Sequence, residues 1–153
     1  MAHIHELIDW TVGVFIVHED KVLLRFHEKY HTWLAVGGHV ELDEDPRQAA
    51  KRECLEEVGL EIYIDGEDDL PYYEEDKLQI LPRPAGMNIH AVTDKHRHID
   101  IIYFATSNSN KVTPEYPDDR WEWQTKAEIE ARDDILKNIK MYALEALETM
   151  AKS

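Results

Sequence analysis

The spacing of apolar positions changes along this chain. Trp10–Val17 (WTVGVFIV) is β-branched and aromatic, His18-Glu19-Asp20 is polar, and Lys21–Phe26 (KVLLRF) turns apolar again. That pattern predicts a hairpin with a loop of about three to four residues. Trp33–Val36 reads as a short third strand ended by Gly37-Gly38, where two glycines suggest special backbone angles or a ligand close to the main chain. The period then becomes helical. Over residues 46–58, Ala50, Cys54 and Val58 recur at i, i+4 and i+8, forming an apolar seam for packing on a sheet. Both ends of this helix are marked: Asp45 as N-cap, Pro46 at the first position, Gln48 completing a capping box and Gly59 as the stop.

The acidic, proline-interrupted stretch 65–76 predicts a surface loop or edge extension. Strands are expected at Lys77–Leu81, Asn88–Thr93 and His98–Thr106. The last is almost continuously apolar, as in a strand covered on both faces. Residues 107–119 read as a polar loop, Trp121–Trp123 as a short strand and Thr125–Glu128 as a helix start. From Asp133 to Met150, Ile135, Ile139, Tyr142, Ala143, Ala146, Leu147 and Met150 keep helical spacing. Strands, helix, strands and helix in that order predict an α/β (α+β) fold with a mixed sheet between helices.

Composition narrows the function classes. The 153 residues suit one domain over 1–153, and 43% hydrophobic content argues against disorder. A formal charge of −15 repels phosphate backbones, so no nucleic-acid polymer is expected. A phosphorylated small molecule would need divalent cations or a local basic pocket to overcome that field. The single cysteine, Cys54, excludes an intrachain disulfide and suits a reducing compartment. No signal peptide is visible, and no apolar run approaches the about 18 residues of a membrane span. The expectation is a cytoplasmic domain with no membrane partner.

The candidate chemistry lies between Gly38 and Leu60 (GHVELDEDPRQAAKRECLEEVGL). Glu53, Glu56 and Glu57 sit at i, i+3 and i+4 and share an arc of about 100° of the helix. Like charges at that spacing repel, by some tenths of a kcal/mol per pair. A hard divalent cation relieves the repulsion, and carboxylate oxygens suit Mg²⁺ or Mn²⁺, which share phosphate oxygens from a substrate. Taken alone, the cluster also fits an ordinary solvated acidic face. Its surroundings favour chemistry: Arg52 precedes Glu56 by one turn, Glu44 lies near the positive helix end, and Gly37-Gly38 leaves bare backbone just upstream.

The pattern G-x5-E-x7-R-E-U-x-E-E-x-G-U, with U aliphatic, resembles the signature of the Nudix (MutT-like) hydrolases. Gly38, Glu44, Arg52, Glu53, Glu56, Glu57, Gly59 and Leu60 fill its fixed places. Cys54 stands where an aliphatic residue is usual, and a buried thiol behaves as a small hydrophobe. The resemblance implies an α/β/α sandwich and an Mg²⁺-dependent pyrophosphohydrolase that cleaves a nucleoside diphosphate linked to another moiety. It implies Glu56 and Glu57 as metal ligands, Gly38 as a carbonyl ligand, and Glu53 as ligand or base, with Arg52 and Glu44 orienting them. A homodimer is a further expectation, since dimers are common in the family. The alternatives are a non-catalytic nucleotide sensor, which tends to lose the carboxylates, and a diphosphate isomerase, which needs a poised cysteine.

Other residues carry weaker signals. A further carboxylate beyond the box would come from Glu115, Asp118, Asp119 or Glu122, with Glu115 and Glu122 ranked first. His96-x-His98 alternates as on a strand and would aim two imidazoles at one ion. No cysteine or regularly spaced third ligand supports a closed zinc site, so none is expected. Arg25, His39 and Arg97 are candidate substrate contacts, and Arg83 and Lys95 further anion contacts. Trp33, Trp121, Trp123 and Tyr103 would stack on a base, although strand aromatics are more often core. Nothing in residues 65–97 names the substrate.

Overall fold

The structure, a computed structural model, describes residues 5–28 and 30–150. The ends of the expected 1–153 domain, residues 1–4 and 151–153, lie outside the described residues. The first hairpin forms from β1 (Ile8–His18) and β2 (Lys21–His27). Its pairing runs through His18 and Lys21, so the loop shrinks to Glu19-Asp20, shorter than expected, with Glu19 in the left-handed region at φ 57°. β3 (Thr32–Leu34) returns along β2.

The glycine pair does not end a strand. Gly37 and Gly38 lie inside β4 (Val36–His39), which runs antiparallel to β1 with Gly38 opposite Val12. A Cβ on Gly37 would overlap the Val12 carbonyl oxygen. The bare backbone is therefore what lets β4 approach β1 this closely.

α1 (Pro46–Val58) has both predicted caps. Asp45 accepts from the Gln48 N–H at 2.9 Å, Gln48 returns the bond, and Gly59 closes the helix at φ 68°. After β5 (Ile62–Ile64) comes a small separate hairpin, β6 (Tyr72–Tyr73) with β7 (Leu78–Gln79). The strand expected at 77–81 thus shrinks to two exposed residues. β8 (Gly86–Ala91) and β9 (Arg97–Ser107) pair antiparallel, and β10 (Arg120–Thr125) pairs with β2.

The main sheet runs β10-β2-β1-β9-β5, with β3, β4 and β8 pairing β2, β1 and β9; β1 and β9 are parallel and the other pairs antiparallel. It is a mixed sheet between helices, as expected. Val12, Val14 and Ile16 of β1 pack on one face with Ala49, Ala50, Cys54 and Val58 of α1. Phe15 and Val17 point to the other face, against Ile129 of α2 (Lys126–Ala131) and Ile139, Tyr142, Ala143 and Leu147 of α3 (Lys137–Met150). The alternating direction of β1 side chains supplies both cores.

The helix expected from 133 begins only at Lys137. Arg132 turns back through Asp134, which accepts its guanidinium at 2.7 Å and the Trp33 indole N–H at 3.2 Å. Ile135 is buried there without being helical. No helix among the described residues is long and apolar enough to cross a membrane.

Candidate active site

The carboxylates of α1 meet the glycines of β4 where helix and sheet are closest. The Glu57 Oε2 accepts the Gly37 N–H at 2.9 Å. The Glu53 carboxylate lies directly over Gly38, where any Cβ would overlap it. Gly37 is thus needed for strand pairing, and Gly38 leaves room for a carboxylate. Glu53 is buried and Glu56 half exposed, so the cluster spans the edge of the core.

One guanidinium ties the cluster together. Arg52 Nε lies 3.2 and 3.0 Å from the Glu44 oxygens, and Nη1 donates to Glu53 Oε1 at 3.0 Å and Glu56 Oε2 at 3.1 Å. Its Nη2 donates to the Glu44 carboxylate at 2.6 Å and the His39 carbonyl at 2.9 Å. Glu44 also accepts the Glu41 N–H at 2.9 Å. The Arg52 bonds hold the Glu44 carboxyl below its ordinary range. Glu44 and Arg52 therefore fix each other, and Arg52 fixes two of the three helix carboxylates.

Burial dominates the electrostatics. It pushes Glu53 up to about 7 despite Arg52, with Glu56 and Glu115 adding to the rise. It pushes Glu57 up to about 8, against the Gly37 N–H and Arg25, with Glu53 and Glu115 again raising it. Crowded, half-desolvated carboxylates of this kind take a proton or a cation to offset their charge. Oxygen donors on rigid backbone fit a hard divalent ion such as Mg²⁺.

The remaining sequence candidates divide sharply. Arg25 joins the cluster: its Nη1 lies 3.8 Å from Glu57 Oε1, and its Nη2 donates to Asp119 at 2.9 Å. Glu115 also arrives there. The Thr113 and Glu115 N–H groups donate to the Val58 and Glu57 carbonyls at 2.9 and 3.0 Å, docking the 107–119 loop on the end of α1. Helix-terminal carbonyls lack partners within the helix and need outside donors, the one sequence signal that could have found this docking. Asp118 is exposed. Glu122 pairs with Leu24, a residue of the core on the α3 face, and lies 3.6 Å from Arg132, on the other side of the sheet.

His39 and Arg97 do not join the carboxylates. His39 follows Gly38 on the strand and so faces the opposite side, with Nε2 3.2 Å from Asp9 Oδ2. Arg97 stands opposite Ile8, four residues along β1 from Val12, or about 13 Å. Arg83 and Lys95 are exposed on connecting segments. Trp33 and Tyr103 are core residues. Trp121 and Trp123 pack partly buried on the α1 side, where the Trp123 indole N–H donates to the Asn110 carbonyl at 2.8 Å.

Comparison with known proteins identifies the family and the fold. A NUDIX domain family model matches residues 8–144. A hydrolase of the NUDIX family from Clostridium perfringens is 35% identical, with 92% of this chain and 96% of that one covered at a TM-score of 0.83. A MutT NUDIX hydrolase from Burkholderia pseudomallei is 18% identical, covering 95% of this chain and 99% of that one at a TM-score of 0.63. An Ap4A hydrolase from C. elegans, solved as a binary complex, is 19% identical, covering 94% of this chain and 96% of that one at 0.62. The last two show a shared fold. No curated protein matches the chain. With a family model over most of its length and box glutamates gathered under one arginine, this chain belongs to the Nudix family and is a Nudix hydrolase, acting on diphosphate-containing substrates.

Proposed function

We propose that the protein is an Mg²⁺-dependent pyrophosphohydrolase of a small nucleoside diphosphate derivative. The observation that carries this reading is the set of Glu53, Glu56 and Glu57 on one helix face, two of them raised toward neutrality by burial and all within reach of few positive charges. Glu56 and Glu57 would hold the cation, with Glu53 and the Gly38 carbonyl completing the protein's oxygen donors. When bound, the cation neutralises the diphosphate and lowers the pKa of a coordinated water.

The chain's own groups do the rest. Arg52, locked by Glu44, holds Glu53 Oε1, and Glu53 accepts the proton released as water attacks one phosphorus. The anhydride P–O bond breaks and the other phosphate departs with the bond's electron pair. Arg25, near Glu57 and Asp119, is placed to meet phosphate oxygens. Glu115 is the carboxylate outside the box best placed to assist. Cys54 is fully buried on the core side of α1 with its thiol pushed up by burial, which speaks against the isomerase chemistry.

A panel of nucleoside diphosphate derivatives incubated with Mg²⁺, with monophosphate products quantified, tests the proposal. Hydrolysis of one dominant substrate, abolished by chelation, is the expected result. No hydrolysis across a broad panel would overturn it in favour of a nucleotide-binding sensor.

A further inference from the structure

A second cluster lies on the face of β4 turned away from the Nudix glutamates. Its members come from four segments: Asp9 at the start of β1, His39 at the end of β4, His96 just before β9 and His98 within β9. Asp9, His39 and His96 are buried and His98 is half-buried. Asp9 Oδ2 lies 3.2 Å from both His39 Nε2 and His96 Nε2. The His98 ring sits with its centroid 5.0 Å from that of His39 and 5.2 Å from that of His96. One donor atom each from Asp9, His39 and His98 falls within a 4.8 Å span.

The outer contacts aim these donors inward. The His96 Nδ1 lies 2.9 Å from the Glu6 carbonyl, which can only accept, so Nδ1 carries the proton. The other ring nitrogen, Nε2, is the one turned toward Asp9 Oδ2. Asp9 Oδ1 accepts the His5 N–H at 2.6 Å, which turns Oδ2 toward the imidazoles. A metal-bound histidine typically donates its other ring N–H to a carbonyl, and a ligating carboxylate is typically hydrogen-bonded in the same way.

We propose that Asp9, His39, His96 and His98 form a structural site for a borderline divalent metal of the Zn²⁺ class, separate from the acidic cluster that would take Mg²⁺. Donors about 2.0–2.1 Å from a tetrahedral ion lie about 3.3–3.4 Å apart; the two Asp9–imidazole separations of 3.2 Å are close to that, and His98 would close in from within its 4.8 Å span. Three nitrogens and one carboxylate oxygen fill a tetrahedron, leaving no open position, which makes the site a clamp rather than a catalyst. It ties the entry of β1 to β4 and to both residues flanking the start of β9. The sequence offered only His96-x-His98, and the fold supplies the missing ligands.

The test is titration of the chelator-stripped full chain with Co²⁺ in the presence of excess Mg²⁺, followed by competition with Zn²⁺. The expected result is one equivalent with the strong visible bands of tetrahedral Co²⁺, indifferent to Mg²⁺, displaced by Zn²⁺ and retained by Glu57→Gln. His98→Gln, at the half-buried ligand, should weaken binding by more than the about 10–100-fold expected for an outer-shell partner, and Asp9→Asn should do the same if it folds. Zn²⁺ should also raise the Tm of the wild-type protein and leave that of His98→Gln unchanged. The proposal is overturned if the wild type shows no tetrahedral equivalent, if Mg²⁺ displaces it, or if folded His98→Gln binds as tightly. A protonated His96–Asp9 ion pair would give the first of those results.

Discussion

Gly38 and His39 are neighbours on one strand, yet they serve clusters of opposite character. On the α1 face, Glu53, Glu56 and Glu57 present oxygen at the rim of the core, with Glu56 half exposed, Arg52 binding Glu53 and Glu56, and Arg25 near Glu57. On the other face, Asp9 and three imidazoles present mainly nitrogen, with Asp9, His39 and His96 buried and His98 half-buried. The α1 cluster reaches solvent through Glu56, the side from which a substrate would approach. The imidazole cluster is mostly buried and ordered by backbone partners, which suits the structural site proposed for it. The sheet lies between them, and donor chemistry, hard oxygen against borderline nitrogen, would sort the ions between the two proposed sites.

The contrast breaks hardest at the carboxylates. Glu53→Gln should lower kcat by about 10²–10⁴-fold with an unchanged circular dichroism spectrum, because it removes the proposed proton acceptor and leaves the packing alone. Glu57→Gln should behave alike while leaving the imidazole cluster intact. Near-normal turnover in either folded variant would remove that residue from the site.

The two glycines of β4 separate function from architecture. A Cβ on Gly38 meets the Glu53 carboxylate, the far end of a flexible side chain, so Gly38→Ala should fold normally. Its turnover should fall by about 10²-fold, the cost of shifting a catalytic group by about an ångström. A Cβ on Gly37 meets the Val12 carbonyl on rigid backbone. Gly37→Ala should therefore lose about 1–3 kcal/mol of stability in urea denaturation, the cost of forced backbone shifts. Equal effects of the two substitutions on stability would dissolve the distinction.

The smallest effect is on pH dependence. Glu53 and Glu57 titrate in the folded state at about 7 and about 8, above the ordinary 4.5. The folded protein thus holds more protons than the unfolded chain across that interval, and its stability falls as pH rises through it. The pair's contribution is fully present below about pH 4.5 and gone above about pH 8. Denaturation of chelated protein between these limits should show the decline, and Mg²⁺ should reduce it by replacing the protons. A flat profile in chelator would mean that the carboxylates are already compensated.

Legibility in the sequence followed the range of the interactions. α1 could be read to its boundaries because Asp45, Pro46, Gln48 and Gly59 act within a turn of their own positions. β4 was missed as a strand because two glycines carry no strand propensity; only the close approach to Val12 explains them. The start of α3 was misplaced because Ile135 keeps the helical period while Asp134 is held by Arg132 and Trp33. Within the site, box residues adjacent in sequence were legible, whereas Glu115 depends on a loop docking to the α1 carbonyls. The imidazole cluster was least legible, since Asp9, His39 and His96-x-His98 meet only through the β1–β4 and β1–β9 pairings.

The central claim is that the α1 glutamates hold a hard divalent cation, and Mn²⁺ binding followed by electron paramagnetic resonance at pH 8 tests it most directly. The expected result is binding that Mg²⁺ competes away, that weakens sharply in Glu57→Gln, and that survives in His98→Gln. Mn²⁺ binding of equal strength in wild type and folded Glu57→Gln would contradict it.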